Sequence, residues 1–291
     1  MKGYTFGQLQ QSHPCFGGHA NNAGRIHLPV SPGCNIGCRF CNRVISDTED
    51  RPGVASRVLD PAESIEVLRK ALDICPDIKV AGIAGPGDTL ATDFALETFR
   101  LIQEHFPQLI KCMSTNGLLL YERADELIDT GIDTLTVTVN AVDPAIMARL
   151  NNFIVFHGKR YEGEEGAQIL IENQIKGIKK VSEAGITVKV NTVLVPEINA
   201  GHIGVIAQTV AKAGASIYNI IPLIPQYELS EHRAPTCAEI DAARTEAGRY
   251  IEVFRHCQHC RADAVGVPGV SEFGDRIYQR RIETGETFSH G

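Results

Sequence analysis

Six short apolar runs rich in β-branched residues punctuate the chain: Arg25 to Val30, Lys79 to Ala84, Leu109 to Ser114, Thr134 to Asn140, Thr187 to Val195 and Tyr218 to Ile224. Each predicts a strand, and their near-continuous apolar character suits a parallel sheet buried on both faces. Amphipathic stretches with helical periodicity separate them, at Pro61 to Ile74, Phe94 to His105, Tyr121 to Asp129, Pro144 to Leu150, Ala167 to Ala184 and Ala200 to Ala213. A further helix is expected from Cys237 to Arg255, and Gly131, Gly185 and Gly214 stand where helices hand over to strands. Six β/α units predict an α/β fold, either a barrel-like parallel sheet or an open doubly wound one. Both place functional loops at the C-terminal ends of the strands. The pattern delimits a core over 25–255, an N-terminal extension over 1–24 and a C-terminal extension over 256–291, with a loosely packed or mobile tail expected from Gly266 onward.

A chain of 291 residues with 43% hydrophobic residues can bury a sizeable core without staples. Its longest apolar runs fall short of the roughly 20 residues that span a bilayer. The first 14 residues hold one lysine and no apolar signal core, so a cytoplasmic protein without membrane attachment is expected. A net charge of -7 argues against a sequence-independent grip on nucleic acid. The 9 cysteines are an odd number in a chain read as unexported, which favours metal or redox chemistry over a disulfide framework.

The chemistry concentrates after the first apolar run, in Ser31-Pro-Gly-Cys34-Asn-Ile-Gly-Cys38-Arg-Phe-Cys41-Asn-Arg43. Three thiolates on a four-iron core leave one iron open for a substrate or cofactor. A structural zinc site is the alternative, with Cys257-x2-Cys260 as a partner pair. A glycine-rich turn, Gly82-Ile-Ala-Gly85-Pro-Gly87-Asp88, ends the second run, where backbone can approach a ligand and Asp88 can accept from an ammonium group. Taken alone it also reads as an ordinary tight turn. Ser114, Asn116, Asn140 and Asn191, at later run ends, are further candidate polar contacts or strand-ending turns.

The spacing of the three cysteines, with aromatic Phe40 before the third, resembles the radical S-adenosylmethionine (SAM) superfamily signature. That resemblance implies a partial (β/α)6 barrel, a [4Fe-4S] cluster on Cys34, Cys38 and Cys41, and SAM bound at its open iron and by the glycine-rich turn, with Gly85, Gly87 and Asp88 in contact. Further stretches are similar to the NifB family of nitrogenase cofactor biosynthesis: His13-Pro14-Cys15, Arg25-Ile26-His27, Cys38 to Arg43, Arg51-Pro52-Gly53-Val54, Ser114 to Gly117 and Arg255 to Gly266. The family implies fusion of two further [4Fe-4S] clusters, bound as substrates, with insertion of a SAM-derived carbide and an added sulfur to give an [8Fe-9S-C] precursor. It also implies iron-sulfur cluster donor proteins, an electron donor and a cofactor carrier or scaffold as partners. Cys15, His27, Cys112, Cys257 and Cys260 are then the candidate ligands of the further clusters. Without the family, His27 reads as a satisfied histidine and Cys112 as a small buried hydrophobe. Cys75 and Cys237 match no motif and are expected to be structural. Between Cys15 and His27 the chain departs from the acidic, histidine-rich stretch expected of the family. The chain also ends soon after Cys260, so delivery of the product is expected to fall to a separate carrier.

Overall fold

The computed structural model describes residues 4–17 and 22–279; residues 18–21, in the divergent segment between Cys15 and His27, and the tail from 280 to 291 lie outside the described residues. The described strands are β1 (Gly24–His27), β2 (Ile36–Cys38), β3 (Ile78–Ile83), β4 (Ile110–Thr115), β5 (Thr134–Thr138), β6 (Asn151–Phe156), β7 (Lys159–Glu162), β8 (Thr187–Leu194), β9 (Ile217–Pro222), β10 (Glu252–Phe254) and β11 (Val265–Gly266). One sheet has the order β10-β9-β8-β5-β4-β3-β1-β11. Its first seven members pair in parallel, and β11 adds antiparallel to β1. Arg25, Gly82, Cys112, Thr136, Asn191, Asn219 and Phe254, one from each parallel strand, line a single cavity of about 320 Å³. The sheet therefore curls around a common interior, an open barrel rather than a flat doubly wound sheet.

Alternation along the strands separates two faces. Ile26, Ala81, Met113, Leu135, Val137, Val188, Val190 and Ile220 point outward into the core shared with the helices. The helix Pro61–Ile74 shows how a local sequence secures that contact. Asp60 accepts from the Glu63 amide, Pro61 occupies the first turn, and Ile65, Leu68 and Ala71 form the buried stripe. The inner face is different. Arg25 and His27 on β1, Thr136 and Thr138 on β5, and Lys189 and Asn191 on β8 all line the cavity. The expectation of strands buried in apolar surroundings on both faces is thus corrected: polar residues at every second position leave room for a ligand where barrels usually pack aliphatic layers.

An apolar floor closes the barrel where its strands begin. Leu9 and Phe16, from the N-terminal helices Phe6–Ser12 and Pro14–Gly17, pack with Val80, Ile110, Ile217 and Phe254. Burial of such side chains contributes about 1.5–3 kcal/mol each, enough to hold the N-terminal segment on the barrel.

Three further elements depart from the sequence expectation. The last long helix runs Cys237–Ala247 and stops, because Ile251 and Phe254 bury against the barrel as β10 forms beside β9. An unanticipated sheet of β2, β6 and β7 has a two-residue turn at His157-Gly158, both at positive φ, as a tight hairpin requires. Finally, the segment from Gly266 to Tyr278, expected as the start of a loose tail, is packed. β11 pairs with β1, and the helix Gly274–Tyr278 places the Tyr278 hydroxyl 2.5 Å from the His27 carbonyl, to which it donates.

Candidate functional site

The cavity has two groups of chemistry-bearing residues. At the end where the strands finish, Cys38 and Cys41 line it; Cys34, on the same loop, packs beside them just outside the lining, and the middle of the loop forms β2. Pairing of β2 with β6 fixes one side of this loop. The glycine-rich turn fixes the other: Gly87 donates to the Ser31 carbonyl at 2.7 Å and Asp88 to the Gly33 carbonyl at 2.8 Å. A β-carbon on Gly87 would lie 2.0 Å from the Gly33 oxygen, so this glycine serves the contact between two loops. Gly85, at φ +130°, precedes a cis bond to Pro86.

Burial raises the Cys38 thiol well above its usual range, and the neighbouring Cys41 and Cys34 raise it further. Cys34 is raised by burial and opposed by the Arg43 guanidinium. Arg43 donates to the Pro86 carbonyl; burial works against its charge, but Cys34, Cys41, Cys38 and Asp88 hold it above its ordinary value. The Asn116 amide points to the Cys34 sulfur at 3.8 Å and the Asn35 carbonyl oxygen at 2.7 Å. Among the described residues, no three His, Cys, Asp or Glu side chains converge on one ion-sized point. Thiols that bind separate irons of a polynuclear core need no such convergence, and three soft donors on one loop fit a [4Fe-4S] cluster with an open iron.

Asp88 is buried, which raises its carboxyl above the usual range, and its oxygens accept from Thr115, from the Asn116 amide at 2.6 Å and from the Leu90 amide at 3.0 Å. It ties the glycine turn to the turn after β4 while still lining the cavity. Asn140 likewise has internal partners, accepting from the Val193 amide and, through its carbonyl, from Asn199. Asn191 accepts from Asn219, and Ser114 lines the cavity between these groups.

Deeper in the barrel the chain gathers Cys15, His27, Cys112, Cys257 and Cys260 around the same cavity. Strand register places His27, Gly82 and Cys112 side by side on β1, β3 and β4. Two inter-strand spacings separate the outer pair by roughly 9–10 Å. Gly82 leaves the space between them open, since a β-carbon there would lie 3.0 Å from the His27 ring. Burial pushes the Cys15 thiol up to about 12, Lys189 opposes the rise, and Cys260, Cys112 and Cys257 add to it. Cys112 is also raised, chiefly by burial. These sulfurs stay protonated until a metal displaces the proton.

The His27 Nδ1 lies 2.8 Å from the Arg261 carbonyl, an acceptor, so Nδ1 carries the proton and the Nε2 lone pair is available to a metal. Burial and the Arg25 charge lower His27 to about 4. Its ring keeps some surface, but that surface faces the cavity. In the unfolded chain the ring protonates near 6.5, so stability is full above that value and is lost as pH falls towards 4. Urea unfolding of the cluster-free protein should show His27 contributing about 2–3 kcal/mol to the difference between pH 7 and pH 4. His27→Gln should flatten that slope; an unchanged slope would mean that the ring titrates normally.

A loop following Cys41 covers part of the cavity with Arg51, Pro52 and Gly53. Arg261 holds it by donating to the Ser46 carbonyl at 2.8 Å and to the Glu49 carbonyl, while Asp263 accepts from the Ser56 amide at 2.8 Å. The segment carrying Cys257 and Cys260 is thereby fastened to the loop that follows Cys41.

Several cavity residues stand inside the quoted runs and motifs without being expected there as site residues: His13, Arg25, Arg43, Lys189 and Asn219. The available signal was the alternation in Arg25-Ile-His27, Thr136-Val-Thr138 and Lys189-Val-Asn191, where each second residue is polar inside an apolar run.

A family model described as the Radical SAM superfamily matches residues 28–210. The FeMo cofactor biosynthesis protein NifB of Methanocaldococcus infernus is 50% identical over 265 residues, covering 90% of this chain and 87% of that one. Its counterpart in Azotobacter vinelandii is 38% identical, covering 95% of this chain and 56% of a longer protein. Among solved structures, SuiB of Streptococcus suis bound to S-adenosylmethionine superposes with a TM-score of 0.58 at 15% identity, covering 81% of this chain and 51% of that one. Methylornithine synthase (PylB) gives 0.53 at 12% identity, over 81% of this chain and 66% of the other. At such identities the structural likeness is one of fold, the partial barrel of radical SAM proteins.

Proposed function

The chain belongs to the NifB family of the radical SAM superfamily, and from that premise we propose that it fuses two [4Fe-4S] clusters, with a SAM-derived carbide and an added sulfur, into an [8Fe-9S-C] precursor. One observation carries the reading: five soft donors, Cys15, His27, Cys112, Cys257 and Cys260, line the same cavity as the three-cysteine loop. A radical enzyme with a single cluster has no use for a second set of thiols below its cofactor.

When bound on Cys34, Cys38 and Cys41, the cluster with SAM supplies a methyl group from one SAM and a hydrogen-abstracting radical from another. The chain's own residues set the conditions. Arg43 and Asn116 face the thiols and offer donors to ligand or sulfur. The loop at Arg51 to Gly53 and the apolar floor limit the water that reaches the cavity, as radical chemistry requires. The lower thiols and the His27 imidazole hold the substrate clusters within the same walls. In this reading the enzyme works in the cytoplasm with cluster donor proteins, an electron donor and a cofactor carrier. Among the described residues, no helix is long and apolar enough to cross a membrane.

Anaerobically reconstituted protein, given SAM and reductant, should release both 5'-deoxyadenosine and S-adenosylhomocysteine. Deoxyadenosine alone, with every cluster loaded, would instead favour a radical SAM enzyme that uses an auxiliary cluster to modify a peptide or small molecule.

A further inference from the structure

Lys189 is a buried cation in an unusual setting. It projects from β8 into the cavity with 5% of its surface exposed, and among the described residues no carboxylate lies within ion-pair distance of it. Its Nζ has the Cys15 carbonyl at 3.4 Å and stands over the rings of Phe16 at 5.5 Å and Phe254 at 5.4 Å. One carbonyl and two ring faces compensate only part of the cost of an ammonium removed from water. Arg25, nearby, differs in that it already has Glu272 as an ion-pair partner.

His13 presents a second unmet donor at the same place. Its Nδ1 accepts from the Cys15 amide at 3.1 Å, which puts the ring proton on Nε2. That nitrogen is buried, lines the cavity through its residue, and finds no acceptor, while the ring rests edge-on against Phe16 at 4.8 Å. Two neighbouring donors, one charged, thus face a chamber walled by Cys15, Cys112, Cys257 and Cys260. The ligand that satisfies both must be an anion with several acceptor atoms. An iron-sulfur cluster on thiolate ligands has a net negative charge and exposed sulfides, and charge and hydrogen bonds at its sulfurs set its potential.

We propose that Lys189 is the counter-charge, and His13 the hydrogen-bond donor, for the iron-sulfur substrate held at Cys15. This rests on the function proposed above and adds which residues neutralise and orient the substrate cluster without ligating it. Both are positioning residues, acting on the cluster's charge and sulfurs.

The test is an EPR-monitored redox titration of the full chain, reconstituted with iron and sulfide, in the absence of SAM. Lys189→Met should make a lower-cavity cluster about tenfold harder to reduce, 59 mV for a one-electron couple, because a nearby positive charge is gone. Lys189→Arg should restore most of the shift, and the cluster on Cys34, Cys38 and Cys41 should keep its potential in both. His13→Phe should shift the same lower signal in the same direction, and His13→Gln, which keeps a donor, should shift it less. If Lys189→Met fails to load, loss of lower-cavity iron alone, rescued by Lys189→Arg, supports the proposal. Equal loss from both sites in both variants overturns it in favour of a purely structural lysine. Unchanged potentials and iron content in Lys189→Met also overturn it while leaving the functional reading intact. A wild-type chain that binds only the cluster at Cys34, Cys38 and Cys41 would instead defeat both.

Discussion

Cys38→Ala is expected to abolish SAM cleavage and to lower iron content by about one four-iron cluster per chain. Cys38 is the most deeply placed thiol of its loop, at 9% exposure, on a strand whose register shifts at Gly37 where it pairs with β6. Cys41 and Cys34 both act on its thiol, which places the three sulfurs close to one another. If the three thiols hold the cluster as proposed, removing one of them leaves two irons without protein donors. The loss should exceed the roughly 10–100-fold that follows deletion of an outer hydrogen-bond partner. Cys237→Ala is the matched control, because Cys237 is exposed at the first turn of its helix. Iron analysis and deoxyadenosine yield, measured on both variants side by side, check the expectation. Retention of the EPR signal of this cluster in Cys38→Ala would remove Cys38 from the ligand set.

The second large effect is on stability. Asp263→Ala should cost about 3–5 kcal/mol, the usual penalty for stranding one member of a buried ion pair. Asp263 is 0% exposed, and Arg261 meets it through Nε at 2.8 Å and through a second nitrogen at 3.1 Å. Without the carboxylate, a guanidinium buried against the Ser46 and Glu49 carbonyls has no counter-charge. For a chain of this size the thermal midpoint should fall on the order of 10 °C. The double change Arg261→Met with Asp263→Leu should recover most of that midpoint, since two apolar residues need no mutual compensation. It should nevertheless leave the loop over 46–56 open to protease, because its carbonyls and the Ser56 amide lose their partners. A single Asp263→Ala variant as stable as wild type would show that the pair is neither buried nor paired in solution.

Much of the architecture is legible in the order of residues along the chain. The helices Pro61–Ile74, Phe94–His105 and Pro144–Leu150 begin and end where expected. In the first and third, an aspartate cap and a proline mark the start locally. Strand positions also agree, within a few residues, because six apolar runs of β-branched residues have few alternatives. The boundaries failed where tertiary contacts overrode local pattern. Glu252–Phe254 left its helix to become an edge partner for β9, and Gly266, at the head of the expected tail, joined Val265 in covering β1.

What the sequence by itself determined is the three-cysteine loop. Cys34, Cys38 and Cys41 lie within eight residues of one another, and a short chain segment keeps its thiols together whatever else folds around it. The lower chamber belongs to the tertiary structure. Cys15, Cys112 and Cys257 are separated by about a hundred residues or more each, and they meet only because the sheet curls and the N-terminal helices close its floor. The same curling decided which face of each strand became the interior. Alternation marks two faces on a strand but does not say which one encloses a cavity. Along the chain Lys189 is only a polar interruption in an apolar run; the curled sheet and its floor bury it among thiols, with its charge still to be met.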